Sequence, residues 1–127
     1  MSNERWENWQ QPKIEDGVPT KWGWVVKHSE RFHLGGNTDI GAFTYINAKG
    51  GVIVEENVQI GSHCSIYSIN TIDGTQGPVH LRKNCKIGSH TIIMPGVTIG
   101  ENSVVGALSL VKNNVPDNST VYGNPVV

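Results

Sequence analysis

Across residues 87–116 an aliphatic side chain returns at every sixth position: Ile87, Ile93, Ile99, Val105 and Val111. Four places after each stand Thr91, Val97, Ser103, Ser109 and Val115, all small or β-branched. A period of six is neither the 3.6 of a helix nor the unbroken alternation of a long strand. It fits a short strand and a two-residue turn, repeated. Such a chain must coil upon itself, because no single repeat can bury its own apolar side.

The spacing reaches back to Leu34 (LGGNTD) through Ile40, Ile46, Val54, Ile60, Ile66, Ile72 and Leu81, making thirteen sixes. Val52 and Ile53 are spare in this count, and residues 73–80 (DGTQGPVH) leave it as a loop, signalled by their Gly-Pro pair. Three sixes close a triangular coil, and coils stack at ~4.8 Å. The expected fold is therefore all-β, a parallel β-helix of about four coils, with residues 34–127 as the repeat domain. First and fifth positions should point inward. The fourth is often asparagine (Asn37, Asn57, Asn84, Asn102, Asn114), which suits a left-handed corner. Counting through the inserts stacks Ile60, Leu81 and Ile99 in one column and Ile66, Ile87 and Val105 in another. It also puts Cys64 and Cys85 in a single inward column, where they are expected as buried free thiols.

Residues 1–33 carry no repeat. They hold all four tryptophans (Trp6, Trp9, Trp22, Trp24), with Pro12 and Pro19 to interrupt helices, and read as a cap on the open end of the coil. Residues 21–26 (KWGWVV) can form one strand of it. A net charge of −1 with 17% charged residues offers no field for nucleic acid or an anionic membrane. Residues 1–11 lack the apolar core of a signal peptide, and no apolar run is long enough to span a bilayer. A soluble cytoplasmic protein without nucleic-acid partner or membrane insertion is expected.

The sixes, above all IMPGVTIGENSVVGALSLV with the VPDN and GNP that follow, resemble the hexapeptide-repeat acyltransferases. Within them the likeness is closest to the galactoside and maltose O-acetyltransferase branch and its sugar N- and O-acetyltransferase relatives. The resemblance implies a left-handed coil, acetyl-coenzyme A as co-substrate, and a homotrimer with active sites between subunits. By position it assigns the coenzyme to Ser89, His90, Gly106, Ala107 and Lys112, the lysine meeting phosphates. The O-acetyltransferases place a catalytic histidine where the loop leaves the coil. The matching residue here is Thr71, and their acceptor-binding Asn and Asp fall on Gly41 and Lys49.

Threonine is no base at neutral pH, but an amine, once neutral, needs less help from a base than a hydroxyl does. The reading is acyl transfer to an amino sugar, free or nucleotide-linked, for a surface polysaccharide. Asn70, Thr71 and Asp73 would face the sugar, with His63 or else His80 as base. His63 and His90 stand at fourth positions and can equally serve as corner residues. The alternatives are a sugar O-acetyltransferase, a non-catalytic trimeric scaffold or ligand-binding prism, and a zinc enzyme like the γ-class carbonic anhydrases. For the last, only His63, His80 and His90 are near enough to share an ion, and no metal is expected.

Overall fold

The computed structural model describes residues 4–127. A helical turn, α1 (Glu4–Glu7), precedes fourteen strands of two or three residues: β1 (Val25–Lys27), β2 (Phe32–Leu34), β3 (Asp39–Ile40), β4 (Tyr45–Asn47), β5 (Val52–Val54), β6 (Gln59–Ile60), β7 (Ser65–Tyr67), β8 (Val79–Leu81), β9 (Lys86–Ile87), β10 (Ile92–Ile93), β11 (Thr98–Ile99), β12 (Val104–Val105), β13 (Leu110–Val111) and β14 (Thr120–Val121). Through β13 every third strand joins the same sheet, and β14 follows β12 after a single bridge of Val115 to Ile99. The first sheet is ordered β1-β4-β7-β10-β13, the second β2-β5-β8-β11, and the third β3-β6-β9-β12-β14. All the ladders between these strands are parallel. The result is the expected parallel β-helix, with about five turns rather than four.

The extra turn is made up at both ends, since past Val111 the coil continues with Val115 on Ile99 and β14 on β12. Parallel pairing starts at Val25, nine residues before the sixes become visible at Leu34. Only the end of the KWGWVV segment is strand, because Gly23 turns the chain at φ +91°.

First and fifth positions do fill the interior. Ile46, Ile66, Ile93 and Val111 form one fully buried column, and Val54, Leu81 and Ile99 form another. Each such side chain contributes ~1.5–3 kcal/mol on removal from water. Among the described residues no buried side-chain nitrogen or oxygen lacks a hydrogen bond.

The register differs from the count in one place, with several consequences. Ile72 is not a core position but stands 92% exposed on the loop. Ile60 therefore stacks on Ile87, not Leu81, and Ile66 on Ile93, not Ile87. Leu81 on Ile99 and Ile87 on Val105 are as expected. Cys64 and Cys85 consequently lie in different columns: Tyr45 N–H donates to the Cys64 carbonyl and Ser65 N–H to that of Thr91, whereas Gln59 N–H donates to Cys85 and Lys86 N–H to Ser103. Both cysteines are free and buried. Val52 and Ile53 are not spare either. They belong to β5, and the additional residues sit in the turn before it, where Gly51 takes φ +96°.

The corner between the second and third sheets is an asparagine column. Asn37, Asn57, Asn84, Asn102 and Asn118 all adopt φ of +54° to +64°. Asn84 Nδ2 donates to Asn102 Oδ1 at 3.1 Å, and Asn102 Nδ2 to Asn118 Oδ1 at 3.2 Å. Asn114 is not among them. It lies at another corner, where its Oδ1 accepts from the Thr98 N–H at 2.8 Å.

Candidate active site

The corner between the third and first sheets is built differently. Its four turns read Gly41-Ala42-Phe43-Thr44, Gly61-Ser62-His63-Cys64, Gly88-Ser89-His90-Thr91 and Gly106-Ala107-Leu108-Ser109. The glycine lets successive coils close up: a Cβ on Gly88 would stand 2.5 Å from the Ala107 nitrogen. The last residue points inward and tethers the next coil through its glycine carbonyl. Thr44 Oγ1 donates to Gly61 O at 2.8 Å, Cys64 Sγ to Gly88 O at 3.2 Å and Thr91 Oγ1 to Gly106 O at 3.3 Å.

The third residue of each turn is left-handed, with Phe43, His63, His90 and Leu108 at φ +57° to +65°. That conformation turns their side chains out of the prism. His63 and His90 stack with ring centroids 4.7 Å apart and planes 4° from parallel, and Phe43 lies 5.0 Å from His63. Phe43 is 71% exposed and Leu108 70%. A bulky apolar residue in an αL turn costs stability relative to Asn or Gly, so this corner is not optimised for the isolated chain.

One edge of the prism thus brings together five of the expected site residues: His63, Ser89, His90, Gly106 and Ala107. Ser62 O accepts from the His90 N–H and Ser89 O from the Leu108 N–H, both at 3.0 Å, which fixes the turns on one another. The remaining candidates lie elsewhere. Lys112 is exposed just past β13, across the first sheet.

Asn70, Thr71 and Asp73 belong to the loop after β7, a small hairpin tied by the Ile69–Gln76 bridge and by Asn70 N–H donating to Thr75 O at 2.8 Å. Within it Asn70 Oδ1 accepts from Ile72 N–H at 3.1 Å. Asp73 Oδ1 accepts from the Thr75 hydroxyl and, at 2.9 Å, from the Thr75 N–H. These bonds, the hydroxyl first, hold the Asp73 carboxyl below its ordinary range. Seven residues of near-extended chain separate His63 from Asn70, roughly 20 Å at strand rise. Corner and loop occupy opposite edges of the first sheet in one chain.

His80 is placed differently again. It lies on β8, with Nε2 hydrogen-bonded to Glu55 Oε2, while Glu55 Oε1 accepts from the Lys83 N–H at 3.2 Å. Arg82 stands 3.9 Å from the same carboxylate and 3.8 Å from that of Glu101. Sequence reasoning did not find Glu55, since nothing local marks a carboxylate one coil away. Phe43 and Leu108 did carry a signal, as apolar residues at a corner position that elsewhere takes asparagine. A shared metal is disfavoured by geometry: parallel rings hold their nitrogen lone pairs in separate planes, so no ion lies along both His63 and His90. Among the described residues no group of three His, Cys, Asp or Glu side chains is arranged to hold one.

The outer side of the first sheet, between corner and loop, is largely apolar and aromatic. Tyr45 and Tyr67 face outward with ring centroids 6.1 Å apart, beside Ile92, Met94 and Leu110. Parallel sheets are ordinarily covered on both faces.

The bacterial transferase hexapeptide (six repeats) family matches residues 78–113. The galactoside O-acetyltransferase of Escherichia coli strain K12 is 38% identical over 109 residues, 74% of this chain and 54% of that protein. The chain spans about half the length of the curated relatives it matches. Among solved structures, a hexapeptide-repeat acetyltransferase from Vibrio cholerae O1 biovar eltor, complexed with acetyl coenzyme A, superposes with TM-score 0.78 at 25% identity, over 82% of this chain and 62% of that one. A variant of AntD, an N-acyltransferase from Bacillus cereus in complex with dTDP and coenzyme A, gives 0.72 at 29% identity, over 82% and 63%. In repeat and coil, residues 78–113 carry the bacterial transferase hexapeptide repeat, and the chain is similar to acetyltransferases that are built on it.

Proposed function

We propose that this protein is an acyl-coenzyme A-dependent acyltransferase, with acetyl as the acyl group and a sugar as acceptor. The observation that carries the reading is the corner between the third and first sheets, where His90 stacks on His63 and where the small turns of Ser89 and Ala107, with His90 itself, fall in the part of the repeat that matches the transferase family. The donor would lie along this edge, with its pantetheine arm against Ser89, His90, Gly106 and Ala107, and its phosphates toward a basic side chain such as Lys112. Use of that donor would place the protein in the cytoplasm.

The acceptor is an amino sugar, in line with the N-acyltransferase likeness. The loop residues 68–78 contain no histidine to deprotonate a hydroxyl. The neutral amine attacks the thioester carbonyl, the carbon–sulfur bond breaks, and the coenzyme leaves as thiolate. His63 takes the proton from the nitrogen, and the thiolate is protonated in turn. Neither buried cysteine takes part, so no acyl-enzyme forms.

Corner and loop, roughly 20 Å apart within one chain, meet if a second prism packs against the first sheet. Its tyrosines, Ile92 and the exposed Phe43 and Leu108 suit such burial, and a closed ring of three gives every copy the same contact. Asn70, Thr71 and Asp73 of one copy would then face the corner of the next.

The test is turnover. Acetyl-coenzyme A and a panel of amino sugars, followed by release of free thiol, should give product. His63→Ala should lower the rate at least ~100-fold with little change in coenzyme affinity. Absence of turnover and of coenzyme binding in the folded protein would refute the reading. An unchanged rate in the variant would remove His63 from the mechanism.

A further inference from the structure

All four tryptophans gather at the N-terminal end of the coil, around a cleft of about 840 Å³ between the cap and the first coil. This is the size of a small-ligand site. One of its indoles is anchored in advance, and a second carries a cation over its ring. Trp9 Nε1 donates to the Thr38 carbonyl at 2.8 Å, and the Lys21 ammonium lies 4.6 Å from the centre of the Trp22 ring. Trp24, nearly fully buried, lines the inner side, while Trp22 remains 46% exposed. A plain cap would need apolar groups only to shield the first coil, and Trp24 with Leu34 does that. Trp22 presents an indole to the cleft beyond what shielding requires.

The rest of the lining defines the occupant. Gln10 and Gln11 bring amides, each both donor and acceptor. The charges balance, Lys13 and Lys21 against Glu15 and Asp39, so the cleft has no preference for an anion such as a coenzyme phosphate. A neutral ligand with flat C–H faces and a rim of hydroxyls fits indoles framed by amides. We propose that this cleft is a carbohydrate-binding site, taking a neutral di- or trisaccharide, separate from the corner that would hold the thioester. It does not depend on the acyltransferase reading.

The test uses the tryptophans themselves. All four tryptophans lie in the cap, so indole fluorescence and indole N–H resonances report on this cleft. The Gly23 carbonyl, between Trp22 and Trp24, accepts from the Phe43 N–H of the corner at 2.9 Å, so competition with the coenzyme is what separates the two sites. Titration of the full chain with maltose, lactose, cellobiose and chitobiose to about 10 mM, well above a ~1 mM dissociation constant, should perturb the indoles saturably for at least one sugar. Saturating acetyl-coenzyme A should not displace it. Trp22→Ala should weaken binding about tenfold or more, and Trp22→Phe, which keeps a ring, should retain most of it. No indole response to any of the four sugars would overturn the proposal, as would unchanged affinity in Trp22→Ala or displacement by the coenzyme.

Discussion

Replacing Gly41 by alanine tests the close stacking of the coils. A Cβ there would stand 2.4 Å from the Ser62 nitrogen, 2.6 Å from its Cα and 2.7 Å from the Gly61 carbonyl carbon, all backbone atoms that cannot swing aside. Ordinary contact begins at 3.4 Å, so the two coils must part by about 1 Å at this corner. The bonds closing it are Gly41 N–H to Ile60 O at 2.9 Å and His63 N–H to Ala42 O at 3.0 Å. Stretched by that much, both exceed the ~3.2 Å limit of a useful hydrogen bond. Two lost bonds at ~1 kcal/mol each, with some loss of packing beneath them, amount to about 2–3 kcal/mol. For a chain of this length that corresponds to a fall in Tm of about 6–15 °C.

The control is Gly36→Ala, where nothing lies within 4 Å of the new Cβ. It should be neutral or raise stability by up to ~1 kcal/mol, through the less flexible unfolded chain. Calorimetry of both variants at one protein concentration decides. Equal Tm values for Gly41→Ala and the parent would mean that the coils are not in contact there, and the stacking argument would fail.

Asn102→Ala should cost about 1–2 kcal/mol in thermal unfolding, since it loses two side-chain amide bonds and keeps a left-handed turn; Asn102→Gly should cost less. A second expectation concerns pH. Burial first, and the Glu55 carboxylate second, push the Cys85 thiol from 9.0 to about 12. Above pH 9 the unfolded chain sheds this proton while the native one keeps it, so stability should decline from about pH 9 towards 12. Cys85→Ala, measured by denaturant titration across that range, should flatten the decline even though it lowers stability overall; an unchanged slope would mean that the thiol is not buried as described.

The core was legible because its determinant is local. Aliphatic residues at six-residue spacing say which side chains face inward, and asparagine at the fourth position marks one corner in advance. Register was less legible. Ile72 falls at the right spacing by coincidence, and only the pairing of Ser65 and Ile66 with Ile92 and Ile93 shows that it rides outside on the loop. That one residue moved every column count across the loop, including the two cysteines. Corner residues such as Ser89 and Ala107 were reachable through the resemblance. The Glu55–His80 contact was not, because it joins strands of adjacent coils 25 residues apart. Any site divided between copies is still further from sequence, since its two halves lie on opposite edges of one chain.

The most direct test of that division is complementation. One variant, Ala107→Trp, blocks the corner; another, Thr71→Ala with Asp73→Ala, disables the loop. Each alone should be nearly inactive. Refolded together, in the ring of three proposed above, they should regain roughly a quarter of the parent activity, the fraction of contacts at which an intact corner meets an intact loop from its neighbour. Mixed assemblies as inactive as the separate variants would contradict the account, because each chain would then have to supply both halves of its own site.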